Sequence, residues 1–218
     1  MAAEVQQLET DFGLDVRDAD RVYFVAPEKL DVPAVILDNV ERVWQYRCYL
    51  PPNYDFKRFR GHGLICADGY YCKGGRGMSH SSPKSTAVNE RVTVSVTRKQ
   101  DHFVLGGHFA ISVCLGNRQD RGTLRCRDFE NAKIEDFVIE PVLASGEKAR
   151  SFGRDEIIPI LRIYDPASAD EKMVAGRKQM TYRGALLTFC PTSQLVKFES
   201  LRKGELITEP EASEGSSP

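Results

Sequence analysis

The segment from Val92 to Thr97 alternates valine with threonine or serine without interruption. Successive side chains of a β-strand point to opposite faces, so the valines share one face and the hydroxyl residues share the other. The same period of two recurs in residues 109–115 and 44–50. A chain that repeats this pattern is restricted to folds in which one face of each strand packs against a core.

Further short apolar runs, separated by turn signals such as Pro51-Pro52-Asn53 and Asp165-Pro166, predict about nine or ten strands in all. The additional predicted strands are 22–25, 34–37, 63–66, 137–143, 157–164, 183–188 and 195–198. Pro159 places the 157–164 strand at an edge or a bulge. Two short helices are predicted, at residues 4–10 and at residues 168–179, where Ser168 and Glu171 have capping-box spacing. The fold class predicted is mainly β: a single-domain antiparallel β-sandwich or jelly-roll-like fold with one or two short helices.

The 218 residues are enough for one domain with a sizeable core. We predict a partly ordered N-terminal segment at 1–20, a β-rich domain at 21–204 and a disordered acidic tail at 205–218. The polar start does not resemble a signal peptide, and no apolar run is long enough for a transmembrane helix, so an intracellular location is expected. The net charge of −1 argues against a polybasic polyanion binder but allows a local basic patch.

Six cysteines with irregular spacing, several inside strand-like runs, are predicted to be buried reduced thiols. The densest group of metal-ligand types is His62, Cys66, Cys72 and His80, but no pair has the short spacing typical of zinc sites. We therefore predict no metal, no cofactor and no catalytic residue. An enzyme with a site around His62, Cys66, Asp68 and Cys72 stays open as an alternative.

Residues 54–60, Tyr-Asp-Phe-Lys-Arg-Phe-Arg, alternate cations with aromatic rings. Single-strand binders use this combination, because cations follow phosphates while rings stack on bases. The following Lys-Gly-Gly-Arg-Gly run, 73–77, is either a glycine hairpin or a loop that wraps a phosphate. The residues predicted to contact nucleic acid are Lys57, Arg58, Phe59, Arg60, Lys73 and Arg76. The alternative is an amphipathic loop whose rings anchor in the core.

Two stretches carry a resemblance to a known family. They are Asp68-Gly69-Tyr70-Tyr71-Cys72, and Gly106-Gly107 followed by the Ser112-Val113-Cys114-Leu115 strand and the polar turn 116–120. Together they resemble the thirty-kilodalton movement proteins of plant viruses. The resemblance implies a non-enzymatic protein that coats single-stranded nucleic acid, attaches to membranes peripherally and acts at plasmodesmata. It also implies that Asp68 is the family's signature aspartate, in a structural role.

The leading hypothesis is therefore a non-enzymatic viral protein that binds single-stranded nucleic acid and supports its transport in the host cytoplasm. Its expected partners are the nucleic acid, further copies of itself, and membrane or host-protein surfaces. The alternatives are a viral structural protein (matrix or coat, carried in the virion) and a β-sandwich protein-interaction module.

Overall fold

The computed structural model describes residues 18–29, 40–100, 107–115, 118–119, 124–126 and 133–205. For residues 98–100 and for the strands between 107 and 126, it describes the backbone alone. The predicted helix at 4–10, the predicted strand at 34–37 and the tail beyond residue 205 lie outside this part of the chain.

Thirteen strands and one α-helix make up the described secondary structure, together with two short 3-10 turns. The strands are β1 (Val22–Val25), β2 (Val40–Leu50), β3 (Phe56–Cys66), β4 (Cys72–Lys73), β5 (Arg76–Ser81), β6 (Val88–Gln100), β7 (Gly107–Leu115), β8 (Arg118–Gln119), β9 (Leu124–Cys126), β10 (Val138–Pro141), β11 (Ala149–Phe152), β12 (Ile158–Val174) and β13 (Arg177–Pro191). The helix, α1, is Leu195–Lys203, and the 3-10 turns are Ile134–Asp136 and Thr192–Gln194.

The strands form two antiparallel sheets. The first sheet has the order β11-β1-β2-β6-β7-β8, with β9 also paired to β7. The second has the order β10-β12-β13-β3-β4, with β5 continuing along the same edge of β3. One buried cluster takes residues from both sheets, including Phe24 and Val94 from the first and Phe56 and Phe189 from the second. The sheets therefore pack face to face, and the predicted mainly β, sandwich-like single domain is confirmed.

The alternating segment that predicted strands is the middle of β6. Val92, Val94 and Val96 lie in the core between the sheets. The hydroxyl row on the opposite face is buried as well, and Thr93 Oγ1 accepts a hydrogen bond from Gln45 Nε2 at 3.1 Å. Buried hydroxyl groups are tolerated where they form hydrogen bonds.

The second sheet is covered on both faces. Its outer face carries α1 over a separate apolar cluster that includes Phe59, Ile65, Cys72 and Leu186, with Phe198 of the helix fully buried against them. The phenyl rings of Phe59 and Phe198 meet edge to face, with centroids 5.0 Å apart. The domain is thus layered as sheet, sheet and helix.

Two predicted elements are wrong. Residues 168–179, predicted as a helix, form the end of β12 and the start of β13. The predicted N-cap, Ser168, has other partners: its Oγ accepts from Arg183 N at 2.7 Å and donates to Asp165 O at 2.6 Å. Ser168 therefore secures an irregularity between two strands instead of capping a helix. Residues 195–198, predicted as a strand, form the first turn of α1.

Other local predictions are confirmed. The register of β12 against β13 shifts between Pro159 and Leu161, at the predicted bulge. Cys48, Cys66, Cys72 and Cys190 are buried free thiols, while the side chains of the other two cysteines lie outside the described part. Within the described residues, no helix is both long and apolar enough to cross a membrane.

Candidate nucleic-acid interface

The aromatic-basic segment begins β3, and its two phenylalanines lie on opposite faces of that strand. Phe56 joins the core between the sheets, and Phe59 joins the cluster beneath α1. The ring of Phe59 is completely buried and has the Arg202 guanidinium 6.0 Å from its centroid. The base-stacking role predicted for Phe59 is therefore wrong for this structure, because no face of its ring reaches solvent.

The two arginines of the segment lie on the inner face of β3, where Arg58 is half-buried. Arg58 and Arg60 share the face of β3 that carries Phe56, which is the side toward the first sheet. Arg60 is buried, and a methyl group built on Gly77 would lie 3.9 Å from its Nη2, so the guanidinium passes over this glycine. Strand β9 of the first sheet also lies against β3. Arg60 is therefore not a solvent-facing phosphate contact, contrary to the prediction.

Lys57, Lys73 and Arg76 do reach solvent, and we call them the edge cations. Lys57 lies half-buried on the outer face of β3, while Lys73 and Arg76 are exposed. Lys73 is opposite Leu64 and Arg76 is opposite Gly61 in one continuous register, so these two side chains point to opposite faces of the sheet edge. The structure thus places positive charge on both sides of the exposed edge formed by β4 and β5.

The glycines between Lys73 and Arg76 serve packing. Backbone N–H of His62 donates to Gly75 O at 2.9 Å, which continues the pairing with β3 through a bend. A methyl group on Gly75 would collide with the His62 imidazole, and one on Gly74 would collide with His62 O. The run is therefore an irregular edge strand that needs glycine for close approach, and not a loop that encircles a phosphate.

Glu199 of α1 lies among cations beside this edge. Arg202 donates from Nη2 and Nε to Glu199 Oε2, and Arg76 Nη1 is 3.9 Å from the same oxygen. The hydrogen bonds from Arg202, with the nearby charges of Arg202, Arg76 and Lys203, lower the pKa of Glu199. Lys203 Nζ also lies 3.6 Å from Glu205 Oε1, so two carboxylates face three cations here and the local charge is positive by one unit.

Sequence reasoning missed two residues of this surface. Met78 and His80 are exposed and point to the same side of β5 as Arg76, two and four residues further on. His80 Nε2 is 2.6 Å from Asp55 Oδ1, so one acid sits at this end of the edge. The alternation of Arg76, Met78 and His80 in the sequence is the signal that could have revealed them.

Asp68 lies at the turn after β3, where Gly69 has a φ of 69° and Gly69 O accepts from Arg162 Nη2 at 2.6 Å. The Asp68 side chain is exposed and makes no hydrogen bond or ion pair with the residues that the structure describes. The structural role that the resemblance implies for Asp68 therefore has no visible contact to support it.

The four metal-ligand types are dispersed. Cys72 is buried in the cluster beneath α1, where burial raises the pKa of its thiol to about 11. Cys66 Sγ is 3.1 Å from Gln179 Oε1, His62 packs on Gly75, and His80 contacts Asp55. Among the described residues, no three His, Cys, Asp or Glu side chains are grouped to hold a metal ion.

A cleft of about 590 Å³ lies between α1 and the loop before β12. Two of its polar lining groups are already hydrogen-bonded: Asp155 Oδ1 accepts from Ser193 Oγ at 2.6 Å, and Tyr70 Oη donates to Ile157 O at 2.7 Å. Lys197 and Glu156 also line the cleft. The cleft presents no convergent set of reactive side chains.

The described residues thus form a β-sandwich-like domain with one covering helix and a basic sheet edge. Comparison with protein-family models, with curated proteins and with solved structures gave no match.

Proposed function

We propose that this protein is non-enzymatic and binds single-stranded nucleic acid along the exposed edge of the second sheet. The observation that carries the proposal is the position of the edge cations Lys57, Lys73 and Arg76 on both faces of that edge. A phosphate chain lying along the edge meets positive charge on either side. The resemblance to viral movement proteins supports the further proposal that the bound strand is transported in a host cell.

Backbone chemistry at the edge supports the same function. Strand β5 has β3 as its strand neighbour in the described part of the chain, so its other side offers backbone N–H groups to a ligand. Gly77 has no side chain of its own, and a methyl group there would come within 4 Å of the Arg60 guanidinium alone, so a ligand would reach this backbone from the free side of β5. Lysine, arginine and backbone N–H groups are the usual donors to phosphate oxygens.

The proposal makes sequence-independent binding the expected mode. The aromatic rings of the segment are committed to the two cores, so base stacking contributes little and the charges dominate. Affinity should therefore fall as the salt concentration rises, with little preference between oligonucleotides of different sequence.

The test is fluorescence anisotropy of a labelled single-stranded oligonucleotide titrated with the protein at several salt concentrations. The Lys57→Gln/Lys73→Gln/Arg76→Gln variant should bind more weakly, and its slope of log K against log salt should be smaller by about 2, because each lost contact to a single strand removes about 0.7. The matched control is Lys29→Gln/Lys133→Gln/Lys148→Gln, which removes three exposed lysines elsewhere on the surface.

We expect the control to bind like the wild type. No binding by the wild type at low salt would overturn the proposed function. If the test and control variants lose the same affinity for the oligonucleotide, the effect comes from net charge in general. That result would overturn the assignment of binding to this edge.

A second candidate function, a β-sandwich interaction or viral structural module, is favoured by one observation. The ends of β12 and β13 carry two exposed methionines, Met173 and Met180, on one face. Two exposed apolar side chains near one another on one sheet face favour a contact surface.

A further inference from the structure

The ends of β12 and β13 form a two-stranded ribbon that extends past the rest of the second sheet. The pairing of β13 with β3 ends at Thr181 opposite Cys66, and the pairing of β12 with β10 ends at Tyr164 opposite Val138. The β12–β13 ladder continues beyond them, from Asp170 opposite Thr181 to Val174 opposite Arg177. We call residues 170–181 the ribbon.

The tip of the ribbon is a two-residue turn. Ala175 and Gly176 have φ values of 51° and 75°, the left-handed pair that matches the twist of a hairpin. A two-stranded hairpin alone is marginal in water, so other contacts must hold the ribbon.

The underside of the ribbon supplies these contacts. Val174 is buried, and a methyl group on Gly204 would collide with it and approach the Tyr71 ring to 3.2 Å. Gln179, on the same face of the ribbon, accepts from Cys66 Sγ at 3.1 Å. The ribbon is therefore fixed against the end of α1 and the β3–β4 turn, and its other face points away from the domain.

That outer face carries four side chains in a square. Met173 is opposite Lys178, and Glu171 is opposite Met180. The methionines, which are 64% and 46% exposed, occupy one diagonal. Lys178 Nζ and Glu171 Oε1, 2.7 Å apart, occupy the other. Two exposed thioether chains thus lie on either side of one ion pair.

We propose that this outer face is a self-association surface that binds a second copy of the chain. A two-fold axis along the methionine diagonal lays each methionine on the same methionine of the other copy. The same rotation exchanges the other two corners, so Glu171 of one copy lies over Lys178 of the other. The patch is self-complementary in both apolar surface and charge, as an isologous interface requires.

The chemistry of the four residues fits a second copy of the chain as the partner. Methionine is unbranched and adapts its shape, so methionine-on-methionine contacts pack without a preformed pocket. The two ion pairs join into a ring of alternating charge, with no like charges adjacent. A partner with a uniformly acidic or basic surface would place like charges together at one corner.

The size of the patch limits the affinity of the proposed dimer. Four side chains per copy cover less than the roughly 800 Å² per partner of a standard stable interface, so the dimer dissociates on dilution. The association does not depend on the proposed nucleic-acid interface, because it uses none of the edge cations.

Sedimentation velocity over a wide range of concentrations tests the proposal, with no nucleic acid present. The wild type should shift from monomer toward dimer as concentration rises. The Met173→Gln/Met180→Gln variant should need about tenfold higher concentration or more for the same shift, because each substitution puts a polar amide that must lose its water in place of an apolar thioether. The matched control, Val138→Gln/Val196→Gln, changes two exposed apolar residues elsewhere and should associate like the wild type.

Charge exchange tests the two-fold arrangement itself. Glu171→Lys and Lys178→Glu should each weaken association, because each places like charges over one another. The double variant Glu171→Lys/Lys178→Glu should restore it. A wild type that stays monomeric at all concentrations, an unaffected methionine variant, or a double variant as weak as the single ones would each overturn the proposal.

Discussion

At the scale of single residues, the contacts of Glu199 connect α1 to the sheet edge. Its carboxylate accepts two hydrogen bonds from Arg202, whose side chain is almost completely buried over Phe59. A buried guanidinium is costly unless its charge is matched, so Glu199 makes the burial of Arg202 tolerable. The same carboxylate reduces the positive charge that Arg76 presents to solvent.

Glu199→Gln should lower the free energy of unfolding at pH 7 by about 1 kcal/mol or less, since the carboxylate is partly exposed and screened. The pKa of Glu199 is lower in the folded state than in the unfolded state. The stabilisation is therefore fully present above the unfolded pKa of about 4.3 and is lost as pH falls through the folded pKa.

Urea denaturation at pH 7 and at pH 3 measures this difference. Glu135→Gln, at an exposed position in the 3-10 turn before β10, is the control and should change little at either pH. A deficit in Glu199→Gln that is as large at pH 3 as at pH 7 would contradict the electrostatic account.

At the scale of elements, α1 packs on the second sheet through one of its faces. Phe198 is completely buried, whereas Val196 is 85% exposed on the other side of the same helix. Phe198→Ala should reduce the free energy of unfolding by about 3 to 5 kcal/mol, because it leaves a cavity over Phe59 and Ile65. Val196→Ala should change it by less than about 0.5 kcal/mol. Chemical denaturation compares the two, and similar effects would show that α1 does not depend on its buried face.

The sequence pattern predicted elements well where one face of a strand is apolar and the other polar, as in β6 and β2. It did not predict the extent of β3, because Phe56 and Phe59 serve different cores on opposite faces and the alternation breaks. It failed at Leu195–Phe198 because four residues fit a helix turn and a strand equally well. The ribbon was missed because its strands are mostly polar. The spacing of Ser168 and Glu171 in the sequence is that of a helix cap, but Ser168 accepts a hydrogen bond from the neighbouring strand instead.

The candidate site was predictable in composition but not in orientation. The sequence identifies Lys57, Arg58 and Arg60 as neighbouring cations, yet only the register against β13 and β5 decides which of them face water. A shift by one residue exchanges the two faces of a strand. Pairing partners more than a hundred residues away, such as Cys190 opposite Lys57, are not visible in a local pattern.

At the scale of the whole molecule, the second sheet has apolar clusters on both faces, so a change on one face should be felt on the other. Trp44, the single tryptophan, packs against the core between the sheets, on the far side of the second sheet from α1. We expect Trp44 fluorescence and far-UV circular dichroism to give one common unfolding midpoint. Phe198→Ala should move both midpoints together, and a Trp44 transition that stays unchanged would show that the helix layer unfolds separately.

The position of α1 along the chain has a consequence for synthesis. Phe59, Ile65 and Leu186 are made before the helix that covers them, so a nascent chain that has not yet released residues 195–203 from the ribosome exposes these side chains to solvent or to chaperones. A chain that stops short of α1 carries the same uncovered apolar surface permanently, and it should be insoluble or degraded even though every strand that the structure describes has been translated.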